Sequence, residues 1–94
     1  MTVYIAGPMR GYENYNTEAF NDMQKRLEDF GYIVLNPAVL PKTLKENQYL
    51  PICLSMLEQC DAIVLLKGWE KSVGAQAECA YAVAQNKRIL TVVG

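Results

Sequence analysis

The sequence predicts an α/β fold, a single Rossmann-like or flavodoxin-like domain of three layers around a four-stranded parallel sheet. Strand-type and helix-type segments alternate along the chain, from a β-rich run at residues 2–6 to another at residues 88–93. The run at residues 62–66 is apolar without interruption, which is typical of a parallel strand buried on both faces. The chain has 94 residues, no internal repeat and no interdomain linker, so one domain is expected over residues 1–94.

The first half of the chain is expected to contain two strands separated by one helix. The segments in order are strand one at residues 2–6, a polar loop at 7–15, a helix at about 17–30 and strand two at 32–35. Asn16 or Thr17 offers the N-cap of the helix, and Gly31 ends it as a C′ glycine. Apolar residues recur at helical spacing between these ends, so one face of the helix should pack on the sheet.

The second half is expected to add two helices and two strands. The segments are a linker or irregular turn at 41–47, a helix from about Gln48 or Pro51 to Gln59, strand three at 62–66, a helix capped by Ser72 that runs to about Gln85, and strand four at 88–93. Pro51 is expected only in the first turn of its helix, because it has no N–H to donate. Right-handed crossovers favour the strand order 2-1-3-4. The loops after strands one and three should then face each other across a crevice.

Composition narrows the possible functions. The net charge of −1 predicts no general attraction to a nucleic acid polymer or a membrane surface. No apolar run approaches the roughly 20 residues of a membrane span, and the first residues lack the charged region of a signal peptide, so a cytoplasmic protein is expected. There is no histidine, and the three cysteines show no Cys-x-x-Cys spacing, so we expect reduced thiols and no metal site. Any catalysis therefore relies on carboxylates, tyrosines, arginine or backbone dipoles.

Candidate ligand-binding residues follow strands one and three. After strand one, Gly7 and Gly11 allow a ligand to approach the backbone closely, and Arg10 offers a guanidinium for a phosphate or carboxylate. The alternative is an ordinary turn with a solvated arginine. After strand three, Ser72 and the free amide of Gly74 lie at a helix N-terminus, which suits a plain N-cap, an anion site or both.

Glu78 is the candidate acid. It lies among small apolar residues, with Ala75 and Ala82 on the same helix face. Burial is expected to raise its pKa, while the helix N-terminus and Arg10 are expected to lower it. Tyr4 points from strand one toward one face of the sheet, where its phenol can hydrogen-bond this carboxylate. The alternatives are a solvent-facing glutamate and an ordinary core aromatic residue.

Several aromatic residues have two possible roles. Tyr12, Tyr15 and Trp69 can offer flat surfaces on which a nucleobase stacks, or they can cover the crevice and contact another subunit. Tyr12, Tyr15, Tyr49 and Trp69 are expected to be exposed, and in so small a domain such side chains favour a homo-oligomer.

Five segments of the sequence resemble the nucleoside 2-deoxyribosyltransferase superfamily, and most of all its short bacterial and phage members. They are YIAGP at 4–8, DAIVLL at 61–66, GW at 68–69, SxGAxxE at 72–78 and NKRIL at 86–90. The resemblance covers nearly the whole chain and keeps the order of the motifs. Arg10, Gly11 and the spacing from Ser72 to Glu78 also resemble the deoxynucleoside 5′-monophosphate N-hydrolases, in which the matching arginine and serine bind the 5′-phosphate.

The resemblance implies an activity and a set of site residues. The glutamate that matches Glu78 attacks C1′ of a deoxyribose and displaces the base, and the tyrosine that matches Tyr4 orients it. The substrate is a nucleoside or its 5′-monophosphate, and neither a metal nor an organic cofactor is required. The implied substrate-binding residues are Gly7, Pro8, Met9, Arg10, Gly11, Cys53, Gly68, Trp69, Ser72 and Gly74. A non-catalytic protein that senses or sequesters a nucleotide or an ADP-ribose-like ligand is the alternative.

Cys53 departs from the family pattern. Active members carry an aspartate eight residues before the aspartate that matches Asp61, and it handles the sugar or protonates the leaving base. This sequence has Cys53 at that position, and a thiol is a poor acid catalyst. Asp61, Glu58 or a residue of another subunit would have to replace the aspartate if the chain is an enzyme.

Overall fold

The computed structural model describes residues 1–91, so the end of strand four predicted at residue 93 lies outside the described part. The strands and helices are β1 (Thr2–Ala6), α1 (Thr17–Asp29), β2 (Ile33–Leu35), α2 (Glu46–Glu58), β3 (Ala62–Leu65), α3 (Val73–Ala84) and β4 (Arg88–Thr91). Three short 3-10 turns, Glu13–Asn16, Pro37–Val39 and Trp69–Lys71, lie in the loops that follow β1, β2 and β3. No helix within residues 1–91 combines the length and the apolar character needed to cross a membrane.

The four strands form one parallel sheet in the order β2-β1-β3-β4, which confirms the predicted class and strand order. The sheet separates two hydrophobic clusters. Side chains of α1 pack with Val3 and Ile5 of β1 on one face. Side chains of α2 and α3 pack with Tyr4 and Ala6 on the other face. The alternation follows from the period of two residues in a strand, and it places Tyr4 beneath α2 and α3.

The start of α2 differs from the prediction. The helix begins at Glu46, so Pro51 lies in its second turn and not in its first. Lys45 explains the early start, because its backbone N–H donates to Gln48 Oε1 at 3.0 Å and its carbonyl accepts from the Gln48 N–H at 2.9 Å. Pro51 has no N–H for the carbonyl of Asn47, so the second turn lacks one helical hydrogen bond.

A left-handed turn precedes α1. Asn14, Tyr15 and Asn16 have φ values of 48°, 54° and 61°, a conformation that costs about 1–2 kcal/mol for each non-glycine residue. Asn16 occupies the N-cap position, but its side chain does not cap the helix. Its Nδ2 instead donates to the carbonyl oxygen of Pro8 at 2.9 Å. The predicted N-cap residue therefore ties the start of α1 to the loop after β1.

Two glycines allow the loops after β1 and β3 to pack closely. A Cβ at Gly7 would lie 2.7 Å from Cβ of Leu66, and a Cβ at Gly68 would lie 2.9 Å from the hydroxyl of Tyr12. The Leu66 N–H donates to the carbonyl of Ala6 at 2.8 Å, so the segments of β1 and β3 stay paired just past the end of β3. The loops thus meet at the carboxyl edge of the sheet.

The contact at Gly7 predicts a difference between two glycine-to-alanine variants. Gly7→Ala should lower the free energy of unfolding by about 1–3 kcal/mol, because the clashing atom is a Cβ and the backbone has to shift. Gly74→Ala is the matched control, since nothing lies within 4 Å of its Cβ. In the first turn of α3 the alanine should be neutral or stabilising by up to about 1 kcal/mol. Urea unfolding of both variants measures the difference, and equal effects would contradict the packing described here.

Candidate active site

A cleft of about 1060 Å³ lies at the carboxyl edge of the sheet. The loops after β1, β2 and β3 and the N-terminal halves of α2 and α3 form its walls. Seven of the residues predicted to form the site line this cleft: Gly7, Pro8, Met9, Arg10, Ser72, Gly74 and Glu78. The predicted crevice between strands one and three is therefore present, and α2 adds a third wall to it.

Four predicted substrate-binding residues lie elsewhere in the described structure. Cys53 lies on the buried face of α2, with 1% of its surface exposed. Trp69 is half-buried and packs against the cluster between the sheet and the helices α2 and α3. Gly68 lies under Pro8 and Tyr12, and Gly11 forms a turn with a φ of 83°. None of these four residues is among those that line the cleft, and their role in substrate binding stays a prediction.

Glu78 and Tyr4 meet at the inner wall of the cleft. Glu78 lies on the buried face of α3 with 7% of its surface exposed, and Tyr4 of β1 is fully buried beneath it. The Tyr4 hydroxyl donates a hydrogen bond to Oε2 of Glu78. The two residues are 74 positions apart in the sequence. The structure thus brings the two predicted catalytic residues together, and their roles in catalysis stay predictions.

The environment of Glu78 shifts its titration into the neutral range. Burial raises the pKa of its carboxyl from 4.5 to about 7, and hydrogen bonds from Tyr4 and Cys53 limit the rise. Burial also raises the pKa of the Cys53 thiol to about 11 and that of the Tyr4 phenol well above its ordinary value. At neutral pH the thiol and the phenol therefore remain protonated, and Glu78 is the member of this cluster that changes charge.

Arg10 does not act on Glu78 as the sequence predicted. Its guanidinium Nη2 lies 2.8 Å from Oε1 of Glu46, the first residue of α2, and the two side chains are 76% and 75% exposed. The pKa of Glu78 responds to its own burial and to Tyr4 and Cys53, and Arg10 is not among the causes. Arg10 lies at the mouth of the cleft, whereas Glu78 lies at its inner wall.

Ser72 caps α3 as predicted. Its Oγ accepts a hydrogen bond from the backbone N–H of Ala75 at 3.2 Å. Ser72 and Gly74 also line the cleft, so the first turn of α3 faces the space that a ligand would occupy. The cap accounts for the serine by itself, and the other backbone N–H groups in the first turn of a helix have no partner within the helix.

Tyr49 belongs to the cleft wall and was missed as a site residue. The sequence predicted an exposed aromatic residue, but Tyr49 is half-buried and its hydroxyl lies 2.9 Å from the carbonyl of Pro37 and 3.0 Å from Sδ of Met9. It thus joins α2 to the loops after β1 and β2. The signal in the sequence was its position four residues before Cys53, on the same helical face.

The acids proposed as replacements for the missing aspartate lie at the other edge of the sheet. Asp61 precedes β3, and its carboxylate accepts from the backbone N–H of Thr2 at 2.9 Å. Glu58 ends α2, and its carbonyl accepts from Nζ of Lys87 at 3.1 Å. Neither residue lines the cleft, so neither is placed to take over the role of the aspartate there. Residues 1–91 also contain no cluster of three or more acidic, cysteine or histidine side chains that could hold a metal ion.

Three comparisons with known proteins describe what this chain is similar to. Residues 1–91 match a family model described as "Domain of unknown function (DUF4406)". No curated protein sequence matches the chain. Among solved structures, a protein described as "2-desoxiribosyltransferase from Leishmania mexicana" is similar, with a TM-score of 0.77 and 24% sequence identity. The similarity covers 96% of this chain and 62% of that protein, and at this identity it shows a shared fold.

The pKa of Glu78 predicts how stability depends on pH. The folded state binds the proton more tightly than the unfolded state, so the stabilising contribution is complete below about pH 4.5 and is lost as pH rises through 7. Glutamine does not ionise, so Glu78→Gln removes this loss. The change that the substitution makes in the free energy of unfolding should therefore be more stabilising at pH 8 than at pH 4 by roughly 3 kcal/mol. Urea unfolding at several pH values measures it.

Glu58→Gln is the matched control for this measurement. Glu58 is an exposed glutamate on a helix, so the same substitution there should leave the pH dependence unchanged. If the stability of Glu78→Gln followed the same pH profile as the wild type, the carboxyl would titrate alike in the folded and unfolded states. The burial argument for Glu78 would then be wrong.

Proposed function

The chain belongs to the DUF4406 family, whose description assigns no function, and we propose that it cleaves or exchanges an N-glycosidic bond. The substrate is a deoxynucleoside or its 5′-monophosphate. The observation that carries the proposal is the Glu78 carboxyl at the inner wall of the cleft, buried and hydrogen-bonded by Tyr4. The fold shared with a protein described as a 2-desoxiribosyltransferase supports the same reading.

The proposed reaction has two steps. An oxygen of the ionised Glu78 attacks C1′ of the sugar, the bond from C1′ to the base nitrogen breaks, and the base leaves with the electron pair and takes a proton from water. The sugar is then held as an ester of Glu78. A water molecule or a second base attacks C1′ and releases the carboxylate, so the configuration at C1′ is retained. Water gives hydrolysis, and a base gives transfer. Neither step needs a metal or an organic cofactor.

Tyr4 is proposed to orient the nucleophile. Its phenol donates to Oε2 of Glu78, which leaves Oε1 available to the sugar. Because burial keeps the pKa of Tyr4 well above its ordinary value, the phenol remains a donor in the neutral range in which Glu78 ionises. A fixed carboxylate loses little rotational freedom when it reacts, which favours attack.

The cleft wall supplies candidate contacts for the rest of the substrate. Ser72, Gly74 and Arg10 are the proposed phosphate contacts, since helix amides and a guanidinium both suit an anion. Tyr12 and Tyr15 line the same cleft and are 48% and 46% exposed, so each keeps a face on which a base can stack. Trp69 does not line the cleft and packs against the cluster between the sheet and the helices, so Tyr12 and Tyr15 are the proposed stacking residues.

A nucleotide-binding protein without catalysis is the second candidate. The observation that favours it is Cys53. It stands at the position where the resemblance to the nucleoside 2-deoxyribosyltransferase superfamily implies an aspartate in active members. Its thiol is buried, and its pKa of about 11 makes it an ineffective proton donor at neutral pH. A ligand could bind in the cleft of such a protein without losing its base.

We also propose that the chain forms a homo-oligomer through α3. Glu78 is its single charged residue and faces inward, while Val73 and Val83 are 82% and 59% exposed. A helix that is apolar on its outer face as well as its inner face is usually covered. Tyr49 and Trp69 are half-buried and do not contribute to this argument.

The oligomer predicts a different outcome for two valine-to-glutamate variants. Val83→Glu should lower the molecular mass measured by sedimentation to that of one chain, because a charge on α3 would be buried without a partner. Val39→Glu is the control, since Val39 is 71% exposed in the turn after β2. A wild-type protein that is already monomeric would contradict the proposal.

Release of free base tests the catalytic proposal. The purified protein is incubated with deoxynucleosides and their 5′-monophosphates, with and without an acceptor base, and the free base is followed by chromatography. The rate should rise with pH through about 7 as Glu78 ionises. Glu78→Gln should lower it by at least about 1000-fold, as expected for loss of a nucleophile. Glu58→Gln should not change it.

The remaining outcomes separate the two candidate functions. Tyr4→Phe should lower kcat and move the pH profile upward, because the phenol is one of the donors that limit the pKa of Glu78. No release of base, together with a higher Tm in the presence of a nucleotide, would replace the enzyme with the binding protein. No release and no change of Tm with any compound would overturn both candidates.

A further inference from the structure

An ion pair spans the mouth of the cleft. Arg10 comes from the loop after β1 and Glu46 is the first residue of α2, and their side chains meet at 2.8 Å. Both residues line the cleft. The guanidinium that is the proposed phosphate contact is therefore already occupied by a carboxylate of the same chain.

This ion pair is weak enough for a ligand to replace it. The two side chains are about three-quarters exposed, and pairs of this kind contribute little to stability because water screens them. A phosphate carries more charge than a carboxylate and matches the planar guanidinium with two hydrogen bonds. An incoming phosphate can thus displace Glu46 from Arg10 at small cost.

The charges of the cleft show what Glu46 changes there. Within the described residues, Arg10, Lys42 and Lys71 line the cleft as cations, and Glu46 and Glu78 line it as acids. The whole chain has a net charge of −1, so its cleft is more positive than the rest of the molecule when Glu78 is protonated. Glu46 cancels one of three cations at the place where the ligand enters.

We propose that Glu46 determines how strongly the cleft prefers a phosphorylated ligand over a neutral one. It competes for Arg10 and repels a phosphate, so it weakens the binding of a nucleoside 5′-monophosphate and leaves the binding of the parent nucleoside unchanged. The inference rests on the proposed function, because it takes nucleosides and their 5′-monophosphates as the ligands. With Glu46 in place, the affinities of the cleft for a nucleoside and for its 5′-monophosphate differ less than they would if Arg10 had no carboxylate partner.

Binding to variants of Glu46 and Arg10 tests this inference. The probes are the four common deoxynucleosides and their 5′-monophosphates, titrated calorimetrically into proteins that all carry Glu78→Gln, so that no probe is consumed. Glu46→Gln should tighten the binding of a monophosphate by about 3- to 10-fold, because a charge within a few ångströms of the phosphate is removed. The Kd of the matching nucleoside should change less than about twofold, since it carries no charge.

Two further variants separate the ion pair from general charge effects. Glu58→Gln makes the same change of net charge at the far end of α2 and should not alter either Kd. Arg10→Gln should weaken the binding of the monophosphate, and adding Glu46→Gln to it should give a smaller gain than in the presence of Arg10. This coupling is the signature of competition for one guanidinium.

Each failure has a distinct meaning. If Glu46→Gln and Glu58→Gln tighten monophosphate binding equally, or if Glu46→Gln changes the nucleoside and the monophosphate alike, the inference is wrong and the proposed function stands. The same holds if monophosphates bind and Glu46→Gln has no effect. If neither these variants nor the protein with Glu78→Gln alone binds any of the eight probes, the proposed function and the inference fall together.

Discussion

The buried hydrogen bond between Tyr4 and Glu78 is the interaction on which the rest of the site depends. An apolar residue in place of Glu78 would pack more favourably against the sheet, because a buried carboxyl pays for its desolvation. The protein keeps the acid, and the phenol compensates part of the cost by holding Oε2. The remainder appears as a pKa of about 7, which makes the carboxyl responsive to pH near neutrality. The stability of the fold at this point and the titration of the carboxyl therefore have one physical cause.

The strand order creates that contact. β1 lies at the centre of the sheet beside β3, so α3, which follows β3, packs over the face of β1 that carries Tyr4. Gly7 and Gly68 let the loops after these two strands approach without a Cβ between them. The same two loops form part of the wall of the cleft at the carboxyl edge, where open parallel sheets bind ligands. Strand topology and two small residues thus place the acid at the wall of a cleft.

The inner wall and the mouth of the cleft differ in their electrostatics. At the inner wall, Glu78 is shielded from water, so the hydrogen bonds from Tyr4 and Cys53 lower its pKa effectively. At the mouth, Arg10 and Glu46 are mostly solvated, so their attraction is small and a ligand can compete with it. Chemistry is best suited to the first environment, and selection among ligands is best suited to the second. Tyr49 connects the two, because it contacts the loops after β1 and β2 from within α2.

The sequence by itself determined the order of the elements and the Ser72 cap, because both depend on periodicity or on close neighbours in the chain. It also determined the parallel sheet, because strands that alternate with helices pair in parallel. The predicted start of α2 was too late, because a proline was expected only in the first turn of a helix. The hydrogen bonds between Lys45 and Gln48 start the helix at Glu46 instead. Only the tertiary structure decided which partner Arg10 takes and which residues reach the cleft. Those contacts join segments that are distant in the chain, and no local pattern encodes the distance between two side chains that meet across a cleft.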